Sequence, residues 1–488
     1  MIGEDILYLS VQELGKLLQA RKLSPVELTE ATLARLEHLG PKLGAVATLT
    51  RERALEEARS AEREIAAGKS RGPLHGIPYG AKDLLATRGI PTTWGAPAFK
   101  NQLFDYDATV VRKLRDAGAI LVAKLSMIEL AGGGGYNSGH ASLQGASRCP
   151  YNLDHWAGGS SSGPGAAVPS ALVAFAIGSE TFGSIITPAA YSGASGLRPT
   201  YGRVSRHGAM ALSWTMDKLG PMCRSAIDCG LVLNAIAGED PRDATSRKEP
   251  YFWWPPNDEM QARSRAGKRL GILRPDFSTA EGDPEVGAAF DEAVRVLRSL
   301  GARVEETDLP DFPYNPVATL LYTGEAASIF RPFIESPRLD ELLDETQRAG
   351  LRSALDLKAS DYLDAFRLRT QIAAAMGELF NSYDALVAPS RTSPAPRLDQ
   401  KFDAAARERE KQGQPPENRK PAPKSQLIAA SNIAGLPALS VPCGFTKEKN
   451  LPIAIQFVAD ALREDVCIEC AHAFQLATDW HKRRPALG

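Results

Sequence analysis

The sequence predicts an α/β protein with a parallel or mixed sheet, and three observations carry that expectation. An amphipathic helical run over residues 108–117 gives way at once to an apolar, strand-like run over 120–124. A strand at 269–273, a helix that opens at Asp283-Pro284 and ends at Gly301, and a strand at 302–305 form a βαβ unit, whose crossover lays both strands in one sheet. The chain has 488 residues, 43% of them hydrophobic and 24% charged, enough to bury a large core.

Composition also narrows function. A net charge of −1, with no basic excess, argues against a nucleic-acid partner. The apolar stretch 166–177 is too short for a membrane span and contains Pro169 and Ser170. The opening MIGEDILYLSVQELGKLL lacks the basic-then-apolar pattern of a secretory leader, and the six cysteines are scattered. A cytoplasmic enzyme without a disulfide framework or membrane anchor is therefore expected.

Taken in order, residues 11–18 and 25–39 read as helices, Ser24 capping the second with Pro25 at its first position. Residues 51–67 are a third helix, stopped by Gly68, and 78–82 a strand. After the helix–strand pair at 108–124, the segment 126–136 ends in Gly132-Gly133-Gly134-Gly135. Four glycines in a row mean a floppy loop or a close approach of the backbone to another group. Residues 226–237 are a helix closing at Gly238, and the aromatic loop Tyr251 to Pro256 is expected to pack on the core as a surface hinge rather than cover a substrate. The helix from Asp283 carries the apolar stripe Val286, Phe290, Ala293, Val294 and Leu297. Residues 316–380 are mostly helical, with Tyr362, Phe366, Ile372, Met376 and Phe380 as the buried face of the last long helix. A strand at 385–388, a polar Pro-rich loop at 403–424, closing strands within 431–442 and 451–456, and a helix over 461–478 complete the chain.

One stretch, residues 157–200, differs from the rest. It begins with Gly158-Gly159-Ser160-Ser161-Ser162-Gly163 and continues through an apolar segment to Gly178, read as one buried element. A second serine-bearing turn follows, Gly178-Ser179-Glu180-Thr181-Phe182-Gly183-Ser184, then Pro188-Ala189 and Gly196-Leu197-Arg198-Pro199-Thr200. Side chains this small let backbone amides and hydroxyls crowd together at a reaction centre. Upstream lies Gly76-Ile77-Pro78-Tyr79-Gly80-Ala81-Lys82-Asp83.

This pattern resembles the signature of the amidase signature family of serine hydrolases, and the resemblance extends over nearly the whole chain. It implies one large domain over residues 1–488, a mixed sheet flanked by helices on both faces. Within it fall an N-terminal helical layer (1–70), a catalytic core (72–246), a variable, mostly helical region at the substrate entrance (247–384), and closing strands with a last helix (385–488). The resemblance implies Ser184 as the nucleophile, Ser160 as a bridging serine behind a cis peptide bond, and Lys82 as the base. It implies an oxyanion hole from the backbone N–H groups of Thr181, Phe182 and Gly183, and an acyl pocket lined by Ala131, Gly132 and Gly133. The implied reaction is hydrolysis of a linear amide through an acyl-enzyme, on a small-molecule substrate, without metal or cofactor, in a homodimer.

Elementary chemistry sets the requirements for such a site. A serine hydroxyl attacks only when a base takes its proton. Lysine can be that base only when neutral, and burial lowers its pKa from about 10.4. Lys82 has Pro78, Tyr79, Ala81, Leu84 and Leu85 as apolar neighbours in sequence.

The chain departs from the family pattern at three positions. Phe182 replaces the first glycine before the nucleophile, Glu180 replaces an aspartate, and Ile186 replaces an arginine, so the family's Asp–Arg ion pair is expected to be missing. Phe182 would narrow the pocket or stack on a flat acyl group, or else fold into the core. No acidic residue lies in 422–432, where Lys424 stands, so an α-ammonium has no evident partner. Together these favour a small neutral or aromatic carboxamide as substrate. The alternatives are the glutaminase subunit of a tRNA-dependent amidotransferase and an inactive amidase-like binding scaffold. Gly159 to Gly163 also fits the G-x-S-x-G elbow around Ser161, but that motif needs a preceding strand and 149–156 reads as a loop. His155 and His207 read as loop residues near the signature, and Cys467 and Cys470 as core thiols rather than metal ligands.

Overall fold

A computed structural model describes residues 2–253, 255, 267–277, 282–402 and 426–487. The loop expected at 403–424, Lys424 included, lies outside the described residues, as do Trp254 and Pro256.

The apolar runs become strands: β1 Val46–Leu49, β2 Pro78–Lys82, β3 Ile120–Leu125, β4 Arg148–Cys149, β5 Asn152–Trp156, β6 Phe175–Glu180, β7 Ser195–Arg198, β8 Lys218–Cys223, β9 Arg269–Ile272, β10 Arg303–Glu306, β11 Ala385–Pro389, β12 Ala438–Phe445 and β13 Pro452–Val458. Eleven of them form one sheet in the order β1-β3-β2-β6-β8-β7-β12-β13-β11-β9-β10, and β4 pairs with β5 apart from it. The sheet is mixed: β3, β2 and β6 run parallel, as do β11, β9 and β10, with antiparallel pairs between. Helices flank it on both faces, in one large domain.

Helix ends follow their sequence signals. The Ser24 hydroxyl accepts from Val26 and Glu27 N–H at the start of the helix Pro25–Leu43, and Asp283 accepts from Glu285 N–H ahead of Pro284–Ser299. Several expectations need correction. The N-terminal layer is not wholly helical, since β1 leaves it to pair antiparallel with β3 at the sheet edge. The stretch 166–178 is not one element: the helix Ser162–Ala167 ends, Ala171 turns at φ 52°, and β6 begins at Phe175. Its residues are buried as expected, but a short apolar run does not distinguish helix from strand. The stretch 149–156 is not a loop, because β5 occupies it. Residues 431–433 end a helix, Leu427–Ile433, before β12 starts. On the helix Ala359–Ser382, Ile372 and Met376 are buried, but Phe366 is 39% exposed beneath the guanidinium of Arg369. Trp253 packs on Gly230 of the helix Ala226–Ile236, as expected of a hinge held on the core.

Candidate active site

β2 and β6 are parallel neighbours with Ala81 opposite Ile177, so their C-terminal ends finish side by side. Lys82 closes β2, and Ser179 and Glu180 close β6. The ends of parallel strands are where α/β sheets commonly place ligands. Successive side chains of a strand alternate in direction, so Ser179 and Glu180 serve different faces.

On one face, the Lys82 ammonium nitrogen is fully buried and donates to three hydroxyls: Ser160 at 2.8 Å, Ser179 at 2.9 Å and Ser161 at 3.0 Å. Burial pushes the Lys82 pKa down to about 7, against the opposing pull of Asp217 and Glu180. The peptide bond Gly159–Ser160 is cis. The Ser161 N–H donates to the carbonyl of Ser184 at 3.2 Å, tying the first serine turn to the second. Ser161 also exchanges hydrogen bonds with the Ser179 backbone, so its hydroxyl is committed to the lysine cage. Ser184 is half-buried, and Gly183 before it sits at φ 90°, a conformation that favours glycine.

On the other face, the pair with an arginine at position 186 is missing as expected, and Glu180 has a partner that sequence reasoning did not name. Glu180 meets Arg198 at 2.8 Å, both fully buried, and also accepts from Asn432 Nδ2 at 2.8 Å. Arg198 comes from β7, not from position 186 after the second serine turn. The remaining Glu180 oxygen accepts from the N–H groups of Ile185 and Ile186, the two amides that follow Ser184. Burial alone would raise the Glu180 carboxyl, but Arg198 and Asn432 hold it below the usual carboxylate range. A signal was present: Glu180 and Arg198 are the only charged residues of the stretch 157–200, and a buried charge needs a partner.

A cavity of about 180 Å³ adjoins the cage, reached through Ser179 and Thr181. Ala131 lines it, whereas Gly133 backs one of its walls, Leu212, and Gly132 lies under the Tyr136 ring. The glycine run does mark a close approach, but to protein. A β-carbon at Gly134 would overlap the Gln347 carbonyl, and one at Gly350 would overlap that of Gly134. Phe182 packs toward Tyr322, with ring centroids 6.3 Å apart, in the cluster around Ile186 and Met216. Sequence reasoning misses Asp217. Its carboxylate accepts from Thr181 Oγ1 at 2.5 Å and from Leu212 and Ser213 N–H, joining the second serine turn to the cavity wall. Of the two histidines, His207 lines the cavity, while His155 sits on β5 in a bridge to Arg397. Cys467 and Cys470 are buried free thiols, and among the described residues no His, Cys, Asp or Glu group could hold a metal ion. Likewise no described helix is long and apolar enough to cross a membrane.

Comparison with known proteins places this geometry. A family model described as Amidase matches residues 27–468. The A subunit of the glutamyl-tRNA(Gln) amidotransferase of Carboxydothermus hydrogenoformans is 35% identical over 99% of this chain and 100% of its own length. Among solved structures, the peptide amidase of Stenotrophomonas maltophilia is 31% identical, covers 98% of both chains and superposes with a TM-score of 0.81. A bacterial aryl acylamidase of the amidase signature enzymes is 25% identical, covers 97% of both chains and has a TM-score of 0.83.

Proposed function

The chain belongs to the amidase family, and from that membership we propose that it hydrolyses the C–N bond of an amide through an acyl-enzyme on Ser184. The observation that carries this reading is Lys82: buried, poised near neutrality, and 2.8 Å from the Ser160 hydroxyl. In this reading Ser184 Oγ attacks the amide carbon and gives its proton to Ser160, which passes its own to Lys82 Nζ. The two amides after Ser184 are taken by Glu180, so the oxyanion is received by the backbone N–H groups before it, at Thr181, Phe182 and Gly183. The proton on Lys82 then returns through Ser160 to the departing nitrogen, and water releases the acid by the same relay in reverse. The acyl group lies along Ala131, with Gly132 and Gly133 shaping the wall behind it.

Two substrate readings follow. The first is a small neutral or aromatic carboxamide. It is supported by the absence of an acidic residue in 422–432, but Phe182, packed toward Tyr322, no longer speaks for it. The second is the glutaminase subunit of a tRNA-dependent amidotransferase. The full-length similarity to the Carboxydothermus hydrogenoformans amidotransferase protein favours the second over the first. The test is the purified chain assayed on free glutamine and on aliphatic and aryl carboxamides, with affinity capture from its source cells. Glutamine as the fastest substrate, with partner subunits captured, supports the second reading, and neutral amides turned over faster by the chain alone support the first. A folded protein that releases ammonia from neither class, alone or with captured partners, overturns the hydrolase proposal and leaves the binding scaffold.

A further inference from the structure

We propose that Trp214 is the binding face for a planar, ring-sized group of the substrate, next to the scissile amide. The inference rests on amide hydrolysis at this site. Trp214 lines the cavity that opens onto Ser179 and Thr181, and it is 50% exposed. A large apolar ring left this open on a loose loop would ordinarily fold down onto the surface.

Here the loop is fixed on both sides. The Trp214 carbonyl accepts from Arg206 Nη1 at 2.8 Å and from the Tyr201 hydroxyl. The buried Glu325 carboxylate accepts from the Ser213 hydroxyl, from the Thr215 hydroxyl at 2.8 Å and from Thr215 N–H at 3.2 Å. Arg369 donates to the Thr215 carbonyl at 2.9 Å. The backbone that displays the ring is thus tied to the core and to the helices Tyr314–Ile329 and Ala359–Ser382, while the indole remains open to the cavity.

Size and chemistry name the occupant. A cavity of about 150 Å³ accepts benzene, so a space of 180 Å³, here open on one side, has room for one ring. Leu84, Ala131, Met210, Leu212 and Leu219 supply the apolar wall around the indole. The carboxylates and Arg242 of the same wall are already engaged, whereas Arg206 Nε and His207 Nδ1 have no hydrogen-bond partner. Asp217 is held by Thr181, Leu212 and Ser213, Asp243 by Arg206 and Thr245, and Arg242 by Asp240 and Thr109. A free ammonium on the substrate would compete for carboxylates already satisfied, whereas a flat apolar ring meets an open aromatic face.

The experiment compares a matched pair, an aryl carboxamide and a small aliphatic one, on the parent enzyme, Trp214→Ala and Trp214→Phe, with Ser184→Ala as control. In Trp214→Ala, KM for the aryl amide is expected to rise about tenfold, well beyond any rise for the aliphatic amide. Trp214→Phe keeps an aromatic face and is expected to retain most of the preference. An equal change on both substrates, or none on either, overturns the inference. So does an enzyme that turns over only glutamine, with a KM indifferent to Trp214→Ala. Amide turnover surviving in Ser184→Ala would instead overturn the reading on which the inference rests.

Discussion

At the scale of single residues, the account depends on the proton on Lys82. The lysine is neutral in the folded protein above about 7, whereas an unfolded lysine keeps its proton to about 10.4. Unfolding between those limits takes up a proton, so this residue opposes folding more strongly as pH falls through that window. The proposed relay needs the neutral amine. The rate kcat/KM on an amide is therefore expected to rise with pH through a midpoint near 7 and level off above it, read from initial rates between pH 5 and 9. A profile flat through that range would show that no group titrating there is required.

Lys82, Ser160 and Ser184 are singled out by the resemblance of three short runs, 76–83, 158–163 and 178–184, to a family signature, and the structure brings the Ser160 hydroxyl to Lys82. Ser179 and Ser161 as further hydroxyls on Lys82 were not legible, because they depend on the register of β2 against β6. In sequence Phe182 fits pocket and core alike, and only the position of Tyr322, distant along the chain, places its ring.

At the scale of elements, the Glu180–Arg198 pair ties the end of β6 to β7. The acid on β6 reaches a base on β7 and also accepts from the amides of Ile185 and Ile186 at the start of the helix Ile186–Ser192. Removing one member leaves an uncompensated buried charge. Arg198→Leu is expected to cost about 3–5 kcal/mol of stability, measured by denaturant titration, and to lower activity even under conditions where it remains folded. A loss below about 0.5 kcal/mol would show that the pair is solvated or replaceable. Elements with caps were legible at their ends, as at Ser24 and Asp283. The strand at 46–49 was not: its four positions are half-buried with no strong alternation, and it is set by pairing with β3.

At the scale of the whole molecule, the sheet brings residues from distant parts of the chain to the ends of β2 and β6, and the helical segment around 343–350 packs against the loop after β3. Gly134 against Gly350 and Glu129 against Leu343 and Asp344 N–H join that region to the core. The α/β class was legible from two local units, but the strand order was not, since β6 and β8 flank each other across the whole β7 excursion. The outer strand β10 exposes Arg303, Glu305 and Glu306, charges that discourage edge-to-edge pairing.

The central claim is that the molecule assembles around Ser184 as a nucleophile. The most direct measurement treats the folded protein with a fluorophosphonate and locates the adduct by peptide mass mapping. The account predicts a single adduct on Ser184, slowed by competing amide substrate and nearly lost in Lys82→Ala. An adduct on Ser161, or amide turnover that persists in Ser184→Ala, would contradict it.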